Sequence, residues 1–400
     1  MFKLKELKKL KQELLNSLIK ESKSLIKKLP KEIKTKSELV LKDYIHTESI
    51  AGLELWINGV SEYLYFLEAQ KDLTNLKNNP SVIKEFQAGF TESLKVDFGV
   101  EDFRFIDWER ANANYPILND LLNNFIDQTL IPCHSIQNDV YLGTNSDYTH
   151  FQKANGDPSV KGLKVKTILK KTPKNKMIQV QKANEYLEVL WSEGFELYKL
   201  LTDKVHIVQS NGLVSYSHFH EQGISYINFI DRDILESVDD LIHENSHHHL
   251  NLILKKYKII KKDSKEDIFY SPWRKSLRPL YAILHATFTF SYGALLFYNL
   301  AKYENWTFDI DKERVYFRFI EETLAVAYSL VDLQWAIKNG HFTKKGINLI
   351  QNLTNYNEEC IKSIPEIKNK IKSKEKKREL DLIKKNLEQN RNTYKFSLNS

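Results

Sequence analysis

Apolar positions recur at three- and four-residue spacing along most of this chain, the period of helices with one buried face. Leu4, Leu7, Leu10, Leu14, Leu15 and Leu18 set the pattern and predict a helix over residues 1–29. It continues over 49–78 and 81–95, with Pro80 as a break, and returns over 183–203, which carries Trp191 and Tyr198. Residues 100–175 are more irregular, with turn signals at Gly143-Thr-Asn-Ser and Gly156-Asp-Pro. From Val205 to Ile230 the period changes: VHIVQSNGLVSYSHFHEQGISYINFI is dense in β-branched and aromatic residues. Asn211-Gly212 between its apolar runs is a hairpin signal, so a small sheet is expected there. Helices resume around 311–338, and 344–390 reads as a charged helical tail, either solvated or folded as a helical hairpin. The expected fold is therefore mainly α with a small β element (α+β). It divides into an N-terminal helical region (1–200), a core (201–340) and a C-terminal charged helical tail (341–400).

Composition narrows the partners. Only 13 Gly and 9 Pro agree with long helices. The net charge of +7 sits largely in Lys-rich segments near the two ends, which read as solvated helix faces. No basic stripe is interleaved with aromatics, so no nucleic-acid partner is expected. Cys133 and Cys360 form no CxxC pair, which argues against a disulfide framework, a cysteine zinc site or an iron–sulfur cluster. The start, MFKLKELKKLKQELL, has neither an apolar core segment nor a cleavage site and does not read as a secretory signal. Pro279 to Ala301 contains no charged side chain and is long enough to span a bilayer. It also holds His285, Thr287, Thr289, Ser291, Asn299 and three tyrosines, which favours a buried helix lining a polar site. The chain is expected to be cytoplasmic, without a membrane partner.

The candidate chemistry lies in SVDDLIHENSHHHLNLILKKY. His243 and His247 are four residues apart, a spacing that stacks two imidazoles on one helix face, where both can bind one metal ion. Asp239 and Asp240 suit the positive end of that helix, and Lys255 and Lys256 its negative end. His248 and His249 point roughly 100° and 200° further round and are expected to be core or supporting histidines. The third ligand is open. Leu250 and Ile253 stand where a HExxHxxGxxH pattern needs Gly and His. Glu266 and Asp267 sit in a charged loop. Glu321 and Glu322 lie on an apolar helix, where a cap or a buried ion pair explains them equally well. His285 stands alone inside the uncharged helix.

The segment leading to that residue is YSPWRKSLRPLYAILH. An HExxH helix followed by SPWR, then RP, then Leu-His opening an aromatic-rich helix resembles the HExxH-motif peptide-modification proteins of ribosomal peptide natural-product pathways. The resemblance covers roughly residues 205–300. It implies an iron(II)- and 2-oxoglutarate-dependent dioxygenase that hydroxylates a side-chain β-carbon in a precursor peptide, consuming O2. It further implies iron held by His243, His247 and His285. A third histidine in place of the usual carboxylate leaves the same open positions for cosubstrate and O2. Arg274 and Arg278 would meet the distal carboxylate of 2-oxoglutarate, and Trp273 would wall the pocket. Glu244 would orient a ligand or touch substrate. His218 and His220, alternate residues of the expected sheet, share a face that is able to line the same cavity. The alternative is a zinc metallopeptidase with Glu244 as general base and Glu321 or Glu322 completing the site.

Overall fold

The computed structural model describes residues 4–50, 52–54, 56–57, 60–61, 64, 134–136, 140–143, 174–208, 215–217, 219, 222–229, 231–262 and 268–394. It is mainly helical with two small sheets, as the periodicity predicts. By packing, the chain divides into two units, each discontinuous in sequence. One comprises Met1–Leu10, Ile178–Leu201 and Arg232–Ser400; the other comprises Lys11–Met177 and Thr202–Asp231.

In the second unit, helices α1 (Leu4–Leu25, entering from the first unit) and α2 (Lys31–His46) bury Leu15, Leu18, Leu41 and Tyr44. These pack with Leu53 and Trp56 in one apolar cluster. The same unit holds a five-stranded sheet of β1 (His134–Ile136), β2 (Val140–Gly143), β3 (Lys204–Val208), β4 (Tyr216–Ser217) and β5 (Ile224–Asn228). The spatial order is β1-β2-β3-β5-β4. The sheet expected between 205 and 230 is present, but its pairing is not that of a hairpin turning at Asn211-Gly212. β3 pairs β5 in parallel, and β4 pairs the other edge of β5 antiparallel. All five residues of β5 are buried, and it lies between β3 and β4, separating the two strands that precede it. The Asn-Gly pair itself, with His218 and His220, lies outside the described residues.

The first unit carries the motif. It contains most of α3 (Lys174–Leu190) and all of α4 (Ser192–Leu201), α5 (Ile234–Lys256), α6 (Leu280–Lys302), α7 (Lys312–Lys338), α8 (Lys344–Lys370) and α9 (Lys374–Thr393). A two-stranded hairpin, β6 (Phe269–Ser271) and β7 (Ser276–Arg278), joins α5 to α6. Helix α6 packs against α5, α7 and α8. Phe288, Phe297 and Phe319 are wholly buried there, each contributing roughly 1.5–3 kcal/mol by leaving water. Helices α8 and α9 form the charged tail as two consecutive helices.

Helix α5 begins earlier than its acidic pair suggests. Asp233 caps it, accepting from the Glu236 backbone N–H at 2.9 Å, while the Glu236 carboxylate accepts from the Asp233 N–H at 3.0 Å. Asp239 and Asp240 therefore sit in the second turn, where arginines meet their charge. Arg318 lies 3.0 Å from Asp239 and Arg232 3.2 Å from Asp240. Lys255 and Lys256 do occupy the last turn.

Helix α6 is the one described helix long and apolar enough to cross a membrane, and 67% of its most apolar stretch is buried in the fold. Its hydroxyls and amide turn inward on the helix itself. Thr287, Ser291 and Asn299 donate to the carbonyls of Ile283, Thr287 and Leu295, at 2.7, 2.6 and 2.7 Å.

Candidate metal centre

The i, i+4 spacing on α5 brings His243 and His247 together, with ring centroids 5.1 Å apart. Ligand atoms of His243, Glu244 and His247 all lie within 4.8 Å of one another. Both histidines are half-buried, whereas Glu244 is 2% exposed. His248 and His249 are fully buried on other faces, as their helical angles require. The His249 Nδ1 is hydrogen-bonded to the Tyr292 hydroxyl on α6, and its ring packs edge-on to Phe288.

His285, one turn into α6, faces the motif. Its ring stacks on His247 at 5.8 Å and meets Tyr281 at a tilt, with centroids 4.3 Å apart. The His285 Nε2 is buried without a hydrogen-bond partner. His285 thus joins the two helical histidines by ring contact, while the tightest group of ligand atoms takes Glu244 as its third member. Among the described residues none of the three rings makes a hydrogen bond.

Burial dominates the electrostatics. It lowers the pKa of His243, with Arg274 and Arg318 adding to the effect and Asp239 opposing it. His247 is held well below its ordinary value by burial and then by its histidine neighbours. Burial pushes His285 down to about 4. All three imidazoles are neutral near pH 7, the form that binds a metal ion. Neutral, half-accessible rings without hydrogen bonds, one with a buried orphan nitrogen, are the donor set a divalent transition metal fits.

The SPWR sequence forms the tip of the β6–β7 hairpin, with Ser271 opposite Ser276 and Phe269 opposite Arg278. The Ser271 hydroxyl accepts from the Arg274 N–H at 3.3 Å and its carbonyl from the Lys275 N–H at 2.8 Å. Lys275 closes the turn in the left-handed region, with φ at 52°. The Trp273 indole lies parallel on Phe290 of α6, centroids 4.2 Å apart, and the edge of Phe290 meets His243 at 4.9 Å. Trp273 therefore belongs to a wall beside the candidate ligand His243. Arg274 is exposed and Arg278 half-exposed, and neither guanidinium forms an ion pair or hydrogen bond among the described residues. The helix-end ion pair that would explain them structurally is absent there.

Glu321 and Glu322 stand elsewhere. Arg318 binds Glu321 at 3.1 Å, Glu322 at 2.9 Å and Asp239 at 3.0 Å. Glu322, 3% exposed, also accepts from the Trp273 indole N–H at 3.0 Å. Neither glutamate belongs to the metal-ligating group, so the ion-pair explanation of them holds. Glu266 and Asp267 lie outside the described residues.

Arg318 and Phe290 are the participants that motif reading missed. Arg318 carried a signal, since Glu321 and Glu322 follow it at helical contact spacing and Asp239 precedes His243 by one turn. No protein-family model matches this chain, and no curated protein matches it.

Proposed function

We propose that this chain is a cytoplasmic iron(II)- and 2-oxoglutarate-dependent dioxygenase that hydroxylates a side-chain β-carbon of a ribosomally synthesised precursor peptide. The observation that carries the reading is His285: a buried, unpartnered Nε2 on a second helix, its ring against His247. His243, His247 and His285 would hold the iron through neutral ring nitrogens. When bound, the iron supplies the oxidising chemistry, with O2 and 2-oxoglutarate consumed and succinate and CO2 released.

The other residues then have definite tasks. Arg274 and Arg278, with no carboxylate partner of their own among the described residues, offer charge-assisted hydrogen bonds to the distal carboxylate of 2-oxoglutarate. The Trp273–Phe290 stack keeps water off the His243 side of the centre. Glu244, almost fully buried beside the ligands, orients them or the peptide.

One observation favours a second reading. The Glu244 carboxylate is grouped with the two histidines, which suits the general base of a zinc metallopeptidase. Against it, both glutamates proposed to complete a zinc site are bound to Arg318.

The test is anaerobic. Iron(II) and 2-oxoglutarate are added to the metal-free protein and the visible spectrum is recorded. The oxygenase reading expects a metal-to-ligand charge-transfer band, lost in Arg274→Ala or Arg278→Ala. Absence of the band, with zinc bound so tightly that iron does not displace it, selects the hydrolase.

A further inference from the structure

We propose that Glu322 is a positioning residue, whose carboxylate latches the Trp273 indole and so holds Arg274 where an anionic cosubstrate reaches the metal centre. The anion arm of this proposal rests on the oxygenase reading; the latch itself does not.

The surroundings of Arg318 hold more carboxyl groups than cations. One guanidinium, Arg318, is surrounded by three carboxylates, those of Asp239, Glu321 and Glu322. Asp239 and Glu321 already neutralise it, and each keeps some contact with solvent. Glu322 is the most buried of the three, and burial raises its pKa to about 8, so it is a carboxyl group that the ion pair does not need. A buried carboxylate in excess of its cations is destabilising, and an apolar residue of similar size is commonly better for stability alone. What its carboxyl oxygen supplies in return is an acceptor for the indole N–H at 3.0 Å, which a leucine there would leave without one.

That hydrogen bond acts on the site through backbone geometry. Trp273 and Arg274 are adjacent in a four-residue turn whose next two amides are tied to Ser271. Fixing the indole therefore fixes where the Arg274 backbone leaves the turn. The indole is held on two sides, by Glu322 at its N–H and by Phe290 across its face. Phe290 in turn contacts His243, and Arg274 lies within electrostatic reach of the same histidine. The four elements α5, the hairpin, α6 and α7 are thus joined around the metal ligands. Glu322 is the α7 residue in that ring that touches the hairpin tip.

The experiment compares the full-length parent with Glu322→Leu and Glu322→Gln, each also made with Trp273→Phe so that Trp273 emission is obtained by difference. Each is loaded with Co(II) and titrated with 2-oxoglutarate. Leucine removes the acceptor, whereas glutamine keeps a neutral acceptor for the indole. Arg318 retains Asp239 and Glu321 in both, and Trp273→Phe alone breaks the latch from the other side. The Co(II) dissociation constant should stay within about twofold of the parent in all chains, because neither a ligand nor a group hydrogen-bonded to one is changed. Trp273 emission should shift to the red and become more quenchable by acrylamide in Glu322→Leu but not in Glu322→Gln. The 2-oxoglutarate dissociation constant should rise about tenfold in Glu322→Leu and in Trp273→Phe, with glutamine restoring most of the loss. Unchanged Trp273 emission in Glu322→Leu overturns the latch, as does loss of Co(II) equal to the loss of 2-oxoglutarate. Should the parent bind no 2-oxoglutarate, the oxygenase reading falls, and the emission result still decides the latch.

Discussion

Replacing His285 with alanine separates metal binding from fold stability, because the two effects differ in size. In the metal-free protein the substitution removes the ring contacts with Tyr281 and His247, worth about 0.5–1.5 kcal/mol each. It also removes a buried nitrogen that has no hydrogen-bond partner, relieving a penalty of about 1–3 kcal/mol. The two nearly cancel, so the metal-free variant should melt within roughly 2–4 °C of the parent. Metal binding is a different matter. Loss even of groups that only support a ligand typically costs 10–100-fold in affinity, so loss of a ligand should cost at least about 100-fold. At a metal concentration of about one hundred times the parent's dissociation constant, the parent gains roughly 2.7 kcal/mol on binding. A variant weakened 100-fold gains only about 0.4 kcal/mol under the same conditions. The assay is a pair of melting curves, with and without Co(II), supported by direct metal analysis after dialysis. If the variant keeps the parent's Co(II)-dependent rise in melting temperature, His285 is no ligand and the His243, Glu244 and His247 group holds the metal unaided.

Two further outcomes follow from burial. His285 is a base whose folded pKa, about 4, lies below its ordinary 6.5. The unfolded chain takes up a proton that the folded chain refuses, so the stability it contributes is complete above pH 6.5 and lost as pH falls towards 4. Urea melts of the metal-free parent and of His285→Ala, nearly equal at neutral pH, should therefore diverge on acidification, the parent losing about 1.4 kcal/mol per pH unit relative to the variant in that window; a pH-independent difference contradicts the burial of the ring. Arg391→Met should destabilise by about 3–5 kcal/mol in denaturant melts, because it leaves the 1%-exposed Asp332 charge without its cation. Adding Asp332→Asn should recover most of the loss, and failure to recover would place the cost elsewhere, in the stacking of Arg391 on Tyr328.

The sequence made helix α5 and its stacked histidines legible because the signals for them are local. Two histidines at i, i+4, a run of flanking leucines and a basic last turn all lie within one helix. The uncharged helix and the helical character of the charged tail were legible for the same reason. The sheet's presence was legible but its strand order was not, because the order of β3, β4 and β5 depends on which strand is buried on both sides, and a short apolar run does not announce that. Asp239 and Asp240 were assigned to a helix end because the cap at Asp233 lies a turn and a half upstream, past apolar residues that read equally well as loop. Glu322 shows the limit most clearly. Its spacing from Arg318 was visible, but its hydrogen bond to Trp273 joins residues 49 positions apart and exists only once four elements have packed.

The self-bonded hydroxyls of α6 carry a consequence for how the protein must be handled. Thr287, Ser291 and Asn299 look polar on paper, yet each spends a donor on its own helix. Once coiled, the segment presents a greasier surface than its letters indicate. In a half-folded chain, with α7 and α8 not yet closed over it, that rod is the part most prone to stick to detergent, to membranes or to another copy of itself. The third histidine rides on that rod. Aggregated preparations would then be poor in metal for a reason unrelated to ligand chemistry: the enclosure that keeps α6 out of water is the same one that brings His285 to His247.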